Sequence, residues 1–114
     1  MKPSCARMFK FWVLPGMEQA YADYLRDVVT PIDSIAHDAD VFVRLVTITP
    51  EGGDSDWNHG RVFIFRDAAQ RDAMPARMAA AALAFDGSAE ATVRRKAFAE
   101  TLRRQISITD YGLT

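Results

Sequence analysis

Two histidines are the side chains of this sequence best suited to moving a proton at neutral pH, since the imidazole pKa ordinarily lies in that range. His37 stands beside Asp38, and a neighbouring carboxylate can orient an imidazole as a general base. The alternative is that His37, in a predicted helix-to-strand turn, only caps carbonyl groups or meets solvent. We take His37 and His59 as the catalytic candidates.

His59 lies next to a loop that has the composition of a lid. Residues 50–56 are polar and contain Gly52 and Gly53, and Trp57 and His59 follow at the start of a predicted strand. Loops held by rigid strands often carry binding sites, and such a loop can close over a ligand. Trp57 could equally pack against the hairpin or against a partner subunit.

Two cations stand within predicted strands among aromatic and branched neighbours. Lys10 lies between Phe9 and Phe11, and Arg44 lies within residues 41–49. Such cations can hold the negative oxygen of a carboxylate, an enolate or a phenolate. They can also extend their charged ends to solvent or pair with acids of a partner, because buried charges are rare unless they are paired.

Metal and disulfide chemistry are disfavoured by the sequence. The side chains available for a ligand set lack the spacing of any metal motif: Asp54, Asp56, His59 and His37. Cys5 is the single cysteine, so neither an intrachain disulfide nor a Cys-based metal cage can form. We expect no metal, no cofactor and a reducing cytoplasm as the location.

The composition limits the partners. The 114 residues carry 14 basic and 15 acidic side chains, a formal net charge of −1, which gives no long-range attraction to phosphate backbones or anionic membranes. Residues 60–65 are faintly similar to the third strand of RNA-recognition modules but lack a glycine and a stacking aromatic. We expect one domain over residues 1–114 that binds neither nucleic acid nor membrane.

The hydrophobic pattern gives the element order β-α-β-β-α-β. Strands are predicted at residues 8–14, 41–49, 60–65 and 106–109. A first helix is predicted over residues 17–29, and Thr30-Pro31 is expected to interrupt it before a further helical turn. A second helical region is predicted to begin after an N-cap at Asp67. Pro75 is expected to break or restart that region, and Asp86-Gly87-Ser88 is expected to end it. A last helix is predicted over residues 92–105, with Val93, Ala97, Phe98 and Leu102 facing inward. This order predicts an α+β ferredoxin-like sandwich with a four-stranded antiparallel sheet.

One face of the predicted sheet has no helix to cover it. Its apolar side chains are expected to be Met8, Trp12, Phe42, Val46, Ile48 and Phe63. A monomer rarely exposes so large an apolar patch, and a twofold homodimer would remove it from water.

Three segments of the chain point to a known family: the first strand, residues 15–25 (PGMEQAYADYL) and residues 61–87 (RVFIFRDAAQRDAMPARMAAAALAFDG). With this element order they resemble the dimeric α/β-barrel superfamily, in particular its NIPSNAP-like and antibiotic-biosynthesis-monooxygenase-like groups. In those families an aromatic third strand runs into a short polar turn, a helical arginine, an Ala-rich segment and an acidic turn, places taken here by Phe63, Phe65, Arg71 and Asp86. Where the families often carry a histidine two residues before an aromatic, this chain has Arg61.

The resemblance implies that two protomers place their sheets face to face and close a barrel whose interior is a small-molecule pocket. We then expect the substrate-binding residues to be Lys10, Trp12, Arg44, Trp57, Arg61 and Phe63. His59 would take the place of the family's histidine if its strand points it inward.

The residues and the resemblance together favour a homodimer that binds a small hydrophobic or aromatic molecule. Catalysis would be cofactor-independent oxygenation or isomerisation of an enolisable substrate, with Lys10 or Arg44 stabilising an oxyanion and His59 or His37 moving the proton. The alternative is a non-enzymatic assembly or ligand-sensing module whose barrel is packed shut. Haem degradation on this fold would need an Asn or His at the pocket, for which the chain offers only Asn58 and the histidines.

Overall fold

The computed structural model describes residues 2–114, and its elements follow the predicted order. The strands are β1 (Cys5–Val13), β2 (Arg44–Ile48), β3 (His59–Phe65) and β4 (Arg103–Gly112). The helices are α1 (Glu18–Tyr24), α2 (Thr30–Asp38), α3 (Ala68–Asp86) and α4 (Ala89–Glu100), and a π-helical segment, Leu25–Val29, joins α1 to α2. All strand pairs are antiparallel in the order β2-β3-β1-β4, which confirms the predicted ferredoxin-like sandwich.

The helices cover one face of this sheet, called here the helix face, and leave the other as the open face. Cys5 pairs with Phe65 and Phe9 with Arg61, so the odd-numbered residues of β1 and β3 share one face. That face is the helix face, because Phe63 and Phe65 form a buried cluster with residues of α2 and α3. The even-numbered residues of β1, β2 and β3 therefore lie on the open face.

Two residues predicted for the uncovered face lie on the helix side instead. The ring of Phe42 is 5.1 Å from that of Phe63, and both rings are buried in the helix-side cluster. Phe42 precedes β2, which begins only at Arg44, so strand alternation does not govern its direction. Phe63 follows the register of β3, which places it opposite Arg7 on the covered face. The prediction for these two residues was wrong.

The first helical region passes Pro31 without the predicted interruption. A proline ring clashes with the carbonyl four residues before it in a regular α-helix. The π-helical segment stands directly before this proline, and there the backbone N–H of Thr30 donates to the carbonyl of Leu25, five residues earlier. The wider turn departs from regular α geometry at the place where the proline would strain it, so the helical path continues to Asp38.

Helix α3 has the predicted ends and an unpredicted middle. The Asp67 carboxylate accepts the backbone N–H of Gln70 at 2.8 Å, which confirms the predicted N-cap. Gly87 ends the helix in the left-handed region at φ 86°, where a residue without Cβ is favoured. Pro75 does not break the helix, because Met74 and Ala82 on either side of it are buried against the sheet and hold both halves in place.

The last helix and strand differ from their predicted ranges. Helix α4 starts at Ala89 behind the Ser88 cap, and β4 is ten residues long because it pairs along the whole of β1. Val93, predicted to face inward, is 68% exposed, and Phe98 is also exposed. Arg95 faces inward instead, since the Asp86 carboxylate accepts from its Nε at 2.9 Å and so sets the rotation of α4.

Candidate functional site

A cleft of about 760 Å³ lies between the helix face and the helices. The sheet supplies aromatic side chains, and the helices supply an aromatic ring and two methionines: Phe9, Phe11, Phe63, Tyr24, Met74 and Met78. The helical walls also contain Ala79, Ala82 and Ala99, whose short side chains leave the space unfilled. The Ala-rich sequence of α3 is therefore the local reason for the cleft.

An ion pair joins the sheet to α2 on the cleft wall. The Arg61 guanidinium donates to both oxygens of Asp33, at 2.6 and 2.5 Å, and the two side chains are only 12% and 16% exposed. Arg61 also lies over the ring of Phe63, 5.0 Å from its centroid. Burial raises the pKa of Asp33, although the positive charge of Arg61 opposes that rise. The pair gives the apolar cleft a polar end.

A second arginine lines the cleft next to a buried phenol. Arg103 Nη1 donates to the hydroxyl oxygen of Tyr21 at 2.9 Å, and the guanidinium carbon lies 4.0 Å from the ring centroid of Phe11. Burial raises the pKa of Tyr21, with Arg103 acting in the opposite direction, so this hydroxyl is neutral at physiological pH. Tyr21 therefore holds the arginine in place without neutralising its charge.

His59 lies one ring behind the cleft wall. It is 8% exposed, its ring meets that of Tyr21 edge-on at 5.1 Å, and it packs against Phe11 at 6.2 Å. Among residues 2–114, no group makes a hydrogen bond with its buried Nε2. Burial, together with the positive charges of Arg61 and Arg103, lowers the pKa of His59 to about 4. The imidazole is therefore neutral at pH 7 with one nitrogen unused.

The other arginines of the cleft that have carboxylate partners are fixed by them. Arg7 donates to Asp110 through two nitrogens, at 2.7 and 3.1 Å. Arg95 is held by Asp86, which is itself almost fully buried. These pairs fasten β1 to β4 and α3 to α4, so they shape the cleft more than they offer charge to a ligand.

Four of the binding candidates lie on the opposite side of the sheet. Lys10 lies over the Trp57 ring, 5.3 Å from its centroid, while Trp12 and Arg44 are exposed. Trp57 can lie against the sheet because Gly60 has no side chain: an added Cβ would come within 3.0 Å of Trp57 and of Met8. This is the face predicted to form the barrel interior.

The structure therefore divides the predicted site. Arg61 and Phe63 line the cleft on the helix face, and His59 lies behind its wall. Lys10, Trp12, Arg44 and Trp57 lie on the open face. His37 belongs to neither group, because it is exposed at the end of α2, with Phe42 as its ring neighbour at 5.6 Å.

Sequence reasoning missed Arg103, Tyr21 and Asp33. Arg103 lies within the range of the predicted last helix and Tyr21 within that of the predicted first helix, so the sequence marks neither as a site residue. One feature of the sequence could have indicated Arg103: two consecutive arginines, Arg103 and Arg104, precede an alternating strand, and charged residues are unusual at the end of a core-facing strand. In the part of the chain that the structure describes, no group of three or more His, Cys, Asp or Glu side chains is arranged to hold a metal ion. Nor does any helix within residues 2–114 have the length and apolar content to cross a membrane.

Comparison with known proteins gives structural likeness without sequence likeness. No family model matches the sequence, and no curated protein matches it either. A NIPSNAP family protein of unknown function from Agrobacterium tumefaciens has a TM-score of 0.62 at 13% identity, over 97% of this chain and 86% of the other. SnoaB, described as a cofactor-independent oxygenase from Streptomyces nogalater, has a TM-score of 0.59 at 10% identity, over 99% and 95%.

A third solved structure is described as dimeric. It is a protein of unknown function with a ferredoxin-like fold from Bacteroides fragilis, with a TM-score of 0.57 at 9% identity over 98% of both chains. At these identities the likenesses show the fold alone. The chain has the ferredoxin-like fold, which confirms the fold that the predicted resemblance implied.

Proposed function

We propose that this protein binds a small aromatic molecule in the cleft between the helix face and the helices. The observation that carries the proposal is a cleft of about 760 Å³ lined by aromatic rings and methionines with charged groups at its end. Ligand pockets of proteins typically measure about 300–1,000 Å³ and combine apolar walls with a few polar groups. The site differs from the predicted barrel interior, because the cavity lies on the other face of the sheet.

Blocking the cleft tests this proposal. Ala79 lines the cleft yet is exposed, so Ala79→Phe fills the space without crowding the buried core. Ala76→Phe, at an exposed position of the same helix that does not line the cleft, is the matched control. Calorimetric titration with 2-naphthol should show binding to the wild type and the control, and a loss of at least about tenfold in Ala79→Phe. Equal affinity in all three proteins would contradict the proposal.

We also propose that two copies associate through the open face. Trp12 is 36% exposed there, Val46 and Ile48 are half-buried, and no helix within residues 2–114 covers them. Burying such a face removes apolar surface from water, which favours association by about 25 cal/mol per Å² before association costs. The Bacteroides fragilis structure, which has a similar fold, is described as dimeric, and this supports the association of two copies.

A charge on the open face should disrupt this association. Val46→Glu places a carboxylate in the proposed interface, and Ser34→Glu places one on the exposed surface of α2 as the control. Light scattering after size exclusion should give a dimer mass for the wild type and the control and a monomer mass for Val46→Glu. A monomeric wild type would refute the proposed dimer.

Cofactor-independent oxygenation is a second candidate function, favoured by the neutral, unpartnered imidazole of His59 behind the cleft wall. In such a reaction a phenolic substrate loses a proton to a base, its carbanion attacks dioxygen, and the peroxide loses water to leave a carbonyl. The substrate is oxidised, and the dioxygen ends as the carbonyl oxygen and water. Arg103, which has no carboxylate partner among residues 2–114, would stabilise the developing negative oxygen, in place of the predicted Lys10 or Arg44.

Oxygen uptake distinguishes an enzyme from a ligand sensor. An oxygen electrode with 1-naphthol should record turnover by the wild type and its loss in His59→Phe, which keeps a ring at the buried position. His37→Gln, at the exposed histidine, should leave turnover unchanged. Binding of 1-naphthol without any oxygen uptake would refute oxygenation of this substrate and favour the non-enzymatic ligand-sensing alternative.

A further inference from the structure

Arg103 is a half-buried cation of the cleft with no carboxylate in direct contact. Within residues 2–114 it forms no ion pair, although its charge lies near enough to Asp33 to oppose the rise in the pKa of that carboxyl. Its side-chain hydrogen-bond partner is the neutral hydroxyl of Tyr21. Charged groups that are removed from water are normally paired, because leaving their charge unbalanced costs free energy. An anionic ligand that contacts Arg103 would supply the missing partner.

The geometry around Arg103 suits a planar partner. The guanidinium lies over Phe11 at 4.0 Å from the ring centroid and is also 5.5 Å from the centroid of Tyr21. A guanidinium held against rings keeps its N–H groups in a fixed plane, and that plane matches the two oxygens of a carboxylate. Phe9 and Phe11, whose rings are stacked with centroids 6.5 Å apart, offer an aromatic surface beside it.

The remaining charges of the cleft do not offer the same site. Arg61, Arg7 and Arg95 are each held by a carboxylate of the chain, so an anionic ligand would have to displace that partner. Lys96 and Glu100 line the cleft too, but both are exposed to water, where a charge is screened.

We propose that Arg103 determines ligand specificity by binding the carboxylate of a planar aromatic acid, with Tyr21 positioning the guanidinium. This inference rests on the proposed binding of an aromatic molecule in the cleft, and it names the chemical class of that molecule. The ring system lies along the aromatic wall of β1, and the carboxylate accepts from the Arg103 N–H groups that Tyr21 leaves unused.

Two probes of equal shape separate the charge from the ring. 2-Naphthoate carries the carboxylate, and 2-naphthamide replaces it with a neutral amide. Calorimetric titration of the wild type should show naphthoate bound about 10- to 100-fold more tightly, the range expected for hydrogen bonds between charged groups. Arg103→Gln should remove that preference and leave the affinity for naphthamide within about threefold of the wild type.

The control is Arg94→Gln, because Arg94 is exposed on α4 and does not line the cleft, and its loss changes the net charge equally. It should keep the preference for naphthoate. Arg103→Lys retains the charge without the planar fork, and we expect it to keep only part of the preference, which serves as the test if Arg103→Gln does not fold. Tyr21→Phe should lower the preference while leaving naphthamide affinity unchanged, a result that general structural damage would not give.

The possible failures are distinct. Equal binding of both probes by the wild type, or an unchanged preference in Arg103→Gln, would overturn the role of Arg103 and leave aromatic binding in the cleft standing. Binding of neither probe by the wild type would overturn the role of Arg103, and the loss of 2-naphthol binding as well would overturn the proposed function itself.

Discussion

Acid should destabilise this protein through His59, and its two histidines allow a controlled test. Burial and two nearby arginines lower the pKa of His59 to about 4, whereas an unfolded histidine has a pKa of about 6.5. Between these values the unfolded chain binds a proton that the native state does not, so the free energy of unfolding falls as the pH falls. The stability is complete above about pH 6.5 and is lost progressively towards about pH 4.

The size of the effect follows from the difference between the two pKa values. A lowering from 6.5 to about 4 corresponds to about 3 kcal/mol over the whole window. Of this, about 2 kcal/mol is lost between about pH 7 and about pH 5. The measurement is best confined to that range, because exposed aspartates and glutamates titrate mainly below about pH 5.

The effect is measured by urea denaturation of the wild type, His37→Gln and His59→Phe, all at the same protein concentration. The wild type should lose about 2 kcal/mol of unfolding free energy from about pH 7 to about pH 5, and His37→Gln should lose the same amount, because His37 is exposed. In His59→Phe the loss should nearly vanish. A wild type whose stability is flat over this range, or a His59→Phe variant that loses as much as the wild type, would show that His59 is not held neutral by its surroundings.

Two further substitutions probe other features of the structure. Asp33→Asn leaves Arg61 without its anion and should lower the free energy of unfolding by about 2 kcal/mol, less than the cost at a fully buried pair because this pair is partly exposed. Asp72→Asn removes one partner of an exposed pair and should not change the midpoint of the unfolding curve. Similar losses of stability in the two variants would contradict the reasoning. Gly60→Ala brings a methyl group within 3.0 Å of Trp57 and should cost about 1–3 kcal/mol and shift the tryptophan fluorescence, while Gly52→Ala, with no atom near its Cβ, should do neither.

The sequence predicted the fold because its elements are marked by local chemistry. Helix α3 begins after Asp67, whose side chain caps it, and ends at Gly87, whose backbone is left-handed. Both effects act within a few residues of the chain. The prolines misled the prediction for a related reason. Pro31 and Pro75 are unfavourable locally, but the π turn before the first and the buried residues around the second are tertiary or irregular features that a local pattern does not contain.

The site was predicted only in part, because face assignment depends on strand pairing. Strand alternation places Lys10 with Trp12 on one face of β1, and His59 with Arg61 and Phe63 on one face of β3. It does not say which group the helices cover, and that depends on the register of β3 against β1. Arg103 escaped prediction because its strand is an edge strand with a bulge opposite Lys10 and Phe11, which interrupts a simple alternating pattern.

The π-helical segment Leu25–Val29 also determines how this chain can vary in length. A π turn holds one residue more than the α turn it replaces, so deleting a single residue there would restore a regular α-helix. The residues beyond the deletion would keep their direction relative to α1, because the π turn contains its extra residue within a single turn. Asp33 would therefore still face Arg61. The segment is a position where homologues can differ in length by one residue and keep the ion pair of the cleft.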